Sequence, residues 1–410
     1  MIVAFDVSRL PRRPKSIYEQ HTMNGAHSRP EGDLLTAQEA DIAKRLELAI
    51  RNDINLDAQG SIAFSRFMEL ALYHGDLGYY MREDMRVGEA GDFTTAPMLS
   101  SAFSQALARQ CAQVLNTMDG GVVRELGAGE GRMACDMLAA LETCGAVPRE
   151  YQIVERSPSL RARQKATLDA LPAHLAERVV WIDESQAFDG VIIANEVLDA
   201  IAVDRFVIQD DQPRPLGVEW QNDQFAWCLR DDNTDLLHWF EDTRHLRQGS
   251  LPNGYRSEWC SQLERVFAEF VSDLRSGIGI FLDYGYAHAE YYHPQRVDGT
   301  LLCHFRQRAH GNPFAWVGLQ DLTASVDFTA VARAAQATGL STLGYTSQTW
   351  FLMGCGLNEF VPQSIEEANA LRKLLLPGEM GERVKVITLA RDFDEPLIGF
   401  SMRNERGRVV

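Results

Sequence analysis

The sequence has few of the features that mark a membrane protein or a zinc protein. No apolar run in the chain approaches the roughly 18 to 20 residues that a bilayer-spanning helix needs. The seven cysteines are an odd number, lie far apart and include no C-x-x-C pair. This spacing indicates a reducing compartment and argues against a zinc site. We therefore expect a protein that holds no metal and inserts no segment into a membrane.

Positive charge is also scarce. The chain has 57 acidic against 40 basic side chains and a net charge of -17, which repels the phosphates of nucleic acids. We therefore expect no nucleic-acid partner, although a cationic substrate would be attracted. The same charge also keeps an ordinary protein in solution, so by itself it does not identify a ligand.

The length of the chain bounds the number of domains. A chain of 410 residues exceeds the size at which a single core usually keeps growing, so we expect two domains or one domain with large insertions. The first segment, 1–32, mixes basic residues with proline, serine and glycine, and it is predicted to be a flexible leader without a secretory signal. For a bacterial source this favours the cytoplasm, and it leaves the mitochondrial matrix open.

The next segment, 33–119, has helical patterns. Thr36 and Glu39 match a capping box, so a first amphipathic helix is predicted to begin near residue 36. A second helix is predicted around Ser65 to Tyr73, and another from about Ser100 to Leu115. These patterns predict a helical region that precedes the core.

From Val122 onward, predicted strands alternate with predicted helices. The strands are expected at 122–126, 151–154, 178–182 and 190–194, and the helices near 131–143 and 158–169. Alternation of this kind builds a parallel sheet with helices on both faces.

A long excursion interrupts this pattern. It covers about 211–260, includes a predicted hairpin within Gly217 to Leu229, and precedes an apolar strand, 278–282, that is expected to rejoin the sheet. The predicted division is a first part of the core at 120–210, an insertion with a helix at 211–276, and the completed core with a substrate-side region at 277–410.

The most informative segment is Val122 to Gly131, where a short apolar run leads into alternate glycines at 127, 129 and 131. A buried strand that turns sharply into a helix needs residues without a Cβ. Such residues also let a ligand lie against the backbone, beside the positive end of the helix. The segment predicts a nucleotide-binding turn, and a glycine-rich loop without a ligand is the alternative.

Two nucleotides compete for this turn. The dinucleotide fingerprint G-x-G-x-x-G/A fails when it starts at Gly127, because Arg132 then takes the third position; it fits from Gly129, but only beyond the strand end. Glu125 favours S-adenosylmethionine (SAM), because a carboxylate suits its ammonium and sulfonium better than a pyrophosphate. Glu155 follows the next predicted strand, where either nucleotide would present its ribose hydroxyls.

Six motifs in order resemble the MidA family of SAM-dependent methyltransferases. They are G-D-F-T-T-A-P at 91–97, E-L-G-A-G-E-G at 125–131, V-E-R-S-P at 154–158, A-N-E-V-L-D-A at 194–200, D-Y-G-Y at 283–286 and Q-D-L-T-A-S-V-D-F at 320–328. One such motif is weak evidence, whereas six in order are specific. Departures at Ala202, Asp204, Val317-Gly318 and Ser325 concern the substrate more than the cofactor.

The resemblance implies an α/β fold of the Rossmann-like SAM-dependent methyltransferase type, with a mostly parallel sheet, an N-terminal helical region and an inserted substrate-side region. It implies that SAM is held by Gly91, Asp92, Glu125, Gly127, Gly129, Gly131, Glu155 and Asn195. Catalytic carboxylates are expected at Glu196 and Asp199, whose spacing would place them on one face of a helical turn. Substrate-binding residues are expected at Asp283, Tyr284 and Asp321.

The family includes an arginine methyltransferase of mitochondrial complex I assembly. The resemblance therefore implies a protein substrate, such as a subunit of respiratory complex I, and methylation of its arginine; a homodimer is left open. Two other functions also remain open, namely a non-catalytic assembly factor on a SAM-binding fold and an NAD-dependent oxidoreductase. Glu196 and Asp199 also suit a purely structural role, because acids stabilise the first turn of a helix.

Overall fold

The computed structural model describes residues 34–83, 94–184, 186–231 and 234–410. The helices are α1 (Ala37–Leu56), α2 (Phe64–Tyr73), α3 (Ala96–Leu99), α4 (Ser101–Thr117), α5 (Arg132–Thr143), α6 (Pro158–Leu168), α7 (Ala173–Ala176), α8 (Thr234–Asp242), α9 (Leu263–Val271), α10 (His288–Tyr291), α11 (Phe328–Ala337), α12 (Gln348–Gly354), α13 (Ile365–Leu375) and α14 (Met380–Arg383).

The strands are β1 (Ser61–Ala63), β2 (Val122–Leu126), β3 (Glu150–Val154), β4 (Val179–Trp181), β5 (Phe188–Asn195), β6 (Asp204–Gln209), β7 (Gln212–Gln221), β8 (Gln224–Leu229), β9 (Arg256–Trp259), β10 (Leu274–Tyr286), β11 (Leu302–Phe305), β12 (Arg308–His310), β13 (Asp321–Thr323), β14 (Val326–Asp327), β15 (Ser341–Ser347) and β16 (Val384–Arg391).

The core of the molecule is an eight-stranded sheet. Its order is β15-β16-β10-β5-β2-β3-β4, and β14 pairs with the end of β10. The neighbours from β10 to β4 are parallel, whereas β16 runs antiparallel to both β10 and β15. The predicted mostly parallel sheet is therefore confirmed, and the strand expected at 278–282 does rejoin it as part of β10.

Helices cover both faces of this sheet. Along β5, Val191 and Ile193 pack into a cluster with residues of α4 and α5, while Ile192 packs into another with residues of α9 and α11. A strand that is buried on both faces has no polar alternation, which is why the sequence reads as a continuous apolar run here.

The predicted N-terminal helical region is confirmed. Glu39 N–H donates to Thr36 Oγ1 at 3.2 Å, and Thr36 N–H donates to Glu39 Oε2 at 2.7 Å, so α1 begins with the predicted capping box. The helices predicted around Ser65 and Ser100 are α2 and α4, within one or two residues of the expected bounds.

The excursion forms a second sheet, which is antiparallel. Its order is β1-β7-β6-β9 with β8 beside β7, and the β7–β8 hairpin lies where a hairpin was predicted. This sheet combines strands from three of the five predicted segments, since β1 comes from 33–119 and β6 from 120–210. The segment boundaries remain a prediction. A third sheet, β12-β11-β13, is also antiparallel.

Candidate functional site

A cavity of about 410 Å³ lies at the carboxyl ends of β2, β3 and β5. Its volume falls within the range of small-molecule sites in proteins. It is lined by the glycine turn after β2, by residues that follow β3 and β5, and by side chains of α2 and α9. Open parallel sheets bind their ligands at this edge, so the cavity lies where the fold predicts it.

The glycine turn connects β2 to α5. The strand ends at Leu126, and Gly127, Gly129 and Gly131 have φ angles of 65°, 53° and 81°. L-residues rarely adopt these angles, and a Cβ on Gly127 would also lie 3.2 Å from a methyl carbon of Val197. The turn therefore requires glycine, and it leaves the amino end of α5 beside the cavity.

Glu125 and Tyr151 form a buried pair behind this turn. The Tyr151 hydroxyl donates a hydrogen bond of 2.6 Å to Glu125 Oε2. Burial, with a smaller contribution from the nearby carboxylate of Glu155, raises the pKa of Glu125 to about 7 although the hydrogen bond from Tyr151 lowers it. Glu125 lines the cavity, as predicted for a residue two positions before the first glycine. A cationic group in the cavity would stabilise its charged form.

Glu155 also lines the cavity, directly after β3, the strand that pairs with β2. Its Oε1 accepts from the Ser157 N–H at 2.8 Å, and its Oε2 accepts from Gln164 Nε2 at 2.9 Å. Gln164 also donates to the carbonyl oxygen of Gly129 at 3.0 Å. The carboxylate is therefore fixed relative to the glycine turn, although burial raises its pKa. It has the position that the sequence predicts for a ribose-binding acid.

Asn195 is the last residue of β5 and Glu196 is the next residue, and both line the cavity from the middle of the sheet. Glu196 Oε1 accepts from Asn195 Nδ2 at 3.1 Å and from the Ala96 N–H at 3.4 Å. Burial raises the pKa of Glu196 to about 7, and the carboxylate of Asp321 adds to this effect. The buried Asn195 Oδ1 has no partner within the described part of the chain. It is an acceptor that a bound ligand could satisfy.

The predicted helical turn at 196–199 is wrong. No helix begins between β5 and β6, and Glu196 itself has a φ of 54°. The reason is Asp283, whose Oδ2 accepts from three successive N–H groups, those of Val197, Leu198 and Asp199, at 2.8 to 3.1 Å. The backbone curls around this carboxylate instead of forming a helix.

The roles predicted for Asp283, as a substrate-binding residue, and for Asp199, as a catalytic residue, are therefore corrected. Asp283 is fully buried, its Oδ1 accepts from the Tyr284 N–H, and the cavity lining includes neither Asp283 nor Asp199. Burial and the charge of Glu196 raise the pKa of Asp283, while burial and Asp283 raise that of Asp199. Asp283 supports the loop from behind and is not positioned to contact a substrate. Tyr284 is likewise not part of the lining, and its contact with substrate stays a prediction.

Two tyrosines that the sequence analysis missed line the cavity. Tyr73 and Tyr80 are stacked with their ring centres 5.6 Å apart, and the Tyr80 hydroxyl donates to Asp321 Oδ1 at 2.8 Å. The Tyr73 hydroxyl donates to the carbonyl oxygen of Ala200 at 2.9 Å. Asp321, predicted to bind substrate, is buried behind Tyr80 and orients it. Neither tyrosine lies in one of the six motifs, so no motif in the sequence indicated them.

The remaining predicted cofactor residues, Gly91 and Asp92, lie outside the described residues. Within the described part, no group of three or more His, Cys, Asp or Glu side chains is arranged to hold a metal ion. No helix in that part has the length and apolar character to cross a bilayer.

The hydrogen-bond acceptors that line the cavity fit SAM. Glu125, Glu155 and the Asn195 carbonyl oxygen are acceptors, and they match a ligand that carries an ammonium, a sulfonium and ribose hydroxyls. A pyrophosphate would meet two carboxylates instead. Fold and site together define the class of the protein as a SAM-dependent methyltransferase.

Comparison with known proteins agrees with this class. The model of a family described as "Putative S-adenosyl-L-methionine-dependent methyltransferase" matches residues 106–346, which is more than half of the chain. The chain belongs to this family, as the resemblance to MidA proteins implied. Its cofactor is therefore SAM.

Relatives of known name or structure extend over most of the chain. Protein arginine methyltransferase NDUFAF7, mitochondrial, of Xenopus tropicalis is 25% identical over 394 residues, which cover 84% of this chain and 87% of the relative. The Drosophila melanogaster homolog is 26% identical, with coverage of 83% and 86%. A crystal structure of a "likely methyl transferase" from Burkholderia thailandensis bound to S-adenosyl-homocysteine is 36% identical, with a TM-score of 0.85 and coverage of 92% and 99%.

Proposed function

We propose that this methyltransferase transfers the methyl group of SAM to the guanidinium of an arginine in a protein, and that Glu196 holds this guanidinium. The observation that carries the proposal is that Glu196 lines the same cavity as the glycine turn and the tyrosine pair Tyr73 and Tyr80. The names of the relatives, which are protein arginine methyltransferases, support the same acceptor.

The cofactor half of the cavity has its own residues. The glycine turn leaves room for the cofactor against the backbone, Glu155 is assigned to the ribose hydroxyls, and Glu125 and Asn195 to the cationic end. When bound, SAM supplies a methyl group on a positively charged sulfur. Everything else that the reaction needs is alignment of the acceptor nitrogen and exclusion of water, which fall to the residues of this chain.

Glu196 suits the acceptor half. Its Oε1 is occupied by Asn195 and the Ala96 N–H, and its Oε2 has no hydrogen-bond partner among the described residues. A guanidinium donates to carboxylates in a fixed planar geometry, so Oε2 would orient it and then accept the proton that methylation releases. With a pKa of about 7, the carboxyl can both hold and release a proton near neutrality.

Asp199 has a supporting part in this proposal. Asp199 is 9% exposed, and it contributes, after burial and Asp321, to the raised pKa of Tyr73. The acceptor protein that the family resemblance implies is a subunit of respiratory complex I, and whether two copies of this chain associate remains a prediction.

The proposal is tested by transfer of a tritiated methyl group from SAM to the proteins of an extract from cells that lack this chain. After hydrolysis, the labelled amino acid is identified. We expect labelled methylarginine with the parent, and a loss of roughly 100-fold or more with Glu196→Gln, which cannot accept the proton. Glu142→Gln is the matched control, because Glu142 is an exposed residue at the far end of α5.

Two results would contradict the proposal. Label on an amino acid other than arginine would exclude arginine as the methyl acceptor. Undiminished transfer by Glu196→Gln would exclude Glu196 as the residue that holds the acceptor. If the parent transferred no label to any protein, the non-catalytic assembly factor would become the better reading.

A further inference from the structure

A second cavity of about 410 Å³ adjoins the first. The two share a wall, because Val197 lines the first cavity and the next residue, Leu198, lines the second. The same alternation occurs before α9, where Gln262 lines the first cavity while Ser261 and Leu263 line the second. The two cavities therefore lie on either side of these two segments.

His288 gives the second cavity an unused hydrogen-bond acceptor. Its Nδ1 lies 2.7 Å from Asp327 Oδ2, and the other oxygen of Asp327 accepts from the Thr329 and Ala330 N–H groups at the start of α11. An ionised carboxylate only accepts, so Nδ1 carries a proton and, in the neutral ring, Nε2 is a bare acceptor. This Nε2 is buried, in a residue that is 3% exposed, and it has no partner among the described residues.

Aromatic rings form one side of the second cavity. Trp239 and Trp259 are stacked with their ring centres 5.4 Å apart, and Tyr292 meets Trp239 edge to face at 5.3 Å. The ring of His288 lies 4.6 Å from that of Tyr292, so the unused acceptor belongs to the same aromatic wall. The faces of such rings attract cations.

The charge of the second cavity is negative. Its lining has three carboxylates, those of Asp242, Glu264 and Asp327, against one guanidinium, that of Arg333, which pairs with Asp242. A bare acceptor, aromatic faces and an excess of carboxylates all favour a ligand that is positively charged and donates hydrogen bonds. All three features would repel an anion.

We infer that the second cavity binds a basic side chain, guanidinium or ammonium, of the protein acceptor near the arginine that is methylated. The identity of the acceptor rests on the function proposed above, whereas the preference for a cation rests on the cavity alone. His288 Nε2 accepts from the side chain, and the carboxylates balance its charge. The second cavity would then select acceptors in which another basic residue lies close to the target.

The test uses the full chain labelled with 5-fluorotryptophan and saturated with S-adenosylhomocysteine. Fluorine NMR follows Trp239 and Trp259, assigned by their replacement with phenylalanine, during titration with N-acetyl-arginine amide and with its neutral isostere, N-acetyl-citrulline amide. We expect both resonances to shift with the arginine compound, to shift much less with citrulline, and to behave with N-acetyl-lysine amide as with arginine.

Variants connect these shifts to the second cavity. His288→Phe removes the hydrogen-bond acceptor, and Asp242→Asn removes an exposed charge without disturbing the core. Each variant should therefore lower the affinity for N-acetyl-arginine amide at least about fivefold. Glu241→Gln, an exposed neighbour that does not line the cavity, should leave its affinity unchanged.

The outcomes separate this inference from the proposed function. Glu196→Gln should abolish methyl transfer and leave the tryptophan shifts intact, because it changes only the first cavity. Equal shifts with citrulline, no shifts at all, or parent affinity in both Asp242→Asn and His288→Phe would overturn the inference even if the chain methylates arginine.

Discussion

Three of the glutamates that line the first cavity differ in how many partners the chain gives them. Glu155 accepts from both a backbone N–H and Gln164, while Glu125 accepts from the hydroxyl of Tyr151. Glu196 is bound through one oxygen and leaves the other for a ligand. Glu125 also uses only one oxygen within the described residues, so Glu125 and Glu196 can each bind a ligand group, whereas Glu155, bound through both oxygens, suits a rigid cofactor contact.

The cost of burying Glu125 should be measurable in the protein without cofactor. The fold raises its pKa from 4.5 to about 7, so the folded chain keeps a proton that the unfolded chain has released. Stability from this group is complete below the unfolded pKa and is lost as the pH rises through about 7. Glu125→Gln keeps an acceptor for Tyr151 and has no proton to lose.

We therefore expect Glu125→Gln to be more stable than the parent by up to roughly 3 kcal/mol at pH 8 and by less than about 1 kcal/mol at pH 5. Unfolding in urea at both pH values, without SAM, measures the difference, and Glu142→Gln serves as an exposed control. An equal difference at both pH values would show that the burial of a charge is not its origin.

At the scale of elements, the site depends on how the end of β10 holds the loop that follows β5. These elements are parallel neighbours, so Asp283 reaches the backbone of the loop at 197–199. The loop in turn presents Glu196 with a left-handed backbone, which is a conformation of sparse occupancy for a residue with a Cβ. Asp283 is thus a positioning residue for Glu196.

Removal of the Asp283 carboxylate should lower methyl transfer to the acceptor and leave the affinity for SAM nearly unchanged. We expect Asp283→Ala to lower the free energy of unfolding by about 2 kcal/mol, because buried N–H groups lose their acceptor, and to lower methyl transfer at least tenfold. SAM affinity should stay within about fivefold, since the glycine turn and Glu155 are untouched. Asp283→Asn retains one oxygen for the three N–H groups and should recover part of the turnover. Parent turnover in the alanine variant would exclude the positioning role.

The elements differ in how far their sequence predicts them. The glycine turn, Glu125 and Glu155 were found because their signal is local: an apolar strand, an acid and glycines at fixed spacing. The contribution of Tyr73 and Tyr80 depends on hydrogen bonds to Ala200 and Asp321, more than 120 residues away, which no local pattern encodes. The role of Asp283 was misassigned because the direction of a side chain at a strand end depends on the pairing of β10 with β5.

At the scale of the whole molecule, the segments that the sequence predicts as separate share their sheets and cavities. The insertion is not a separate appendage, since β1 of the helical region is an edge strand of its sheet. Both cavities lie where this insertion and the main sheet share the segments around 197–202 and 259–265. The net charge of -17 is consistent with a basic acceptor, because it attracts one from a distance.

The most direct measurement is calorimetric titration of the purified chain with SAM, in the parent and in two single variants. We expect one SAM per chain, a loss of affinity of roughly tenfold or more for Glu155→Ala, which no longer accepts from the ribose hydroxyls, and a change within about threefold for Glu196→Gln. NAD should give no heat. Failure of the parent to bind SAM at millimolar concentration, or parent affinity in Glu155→Ala, would contradict the division of this cavity into a cofactor half and an acceptor half.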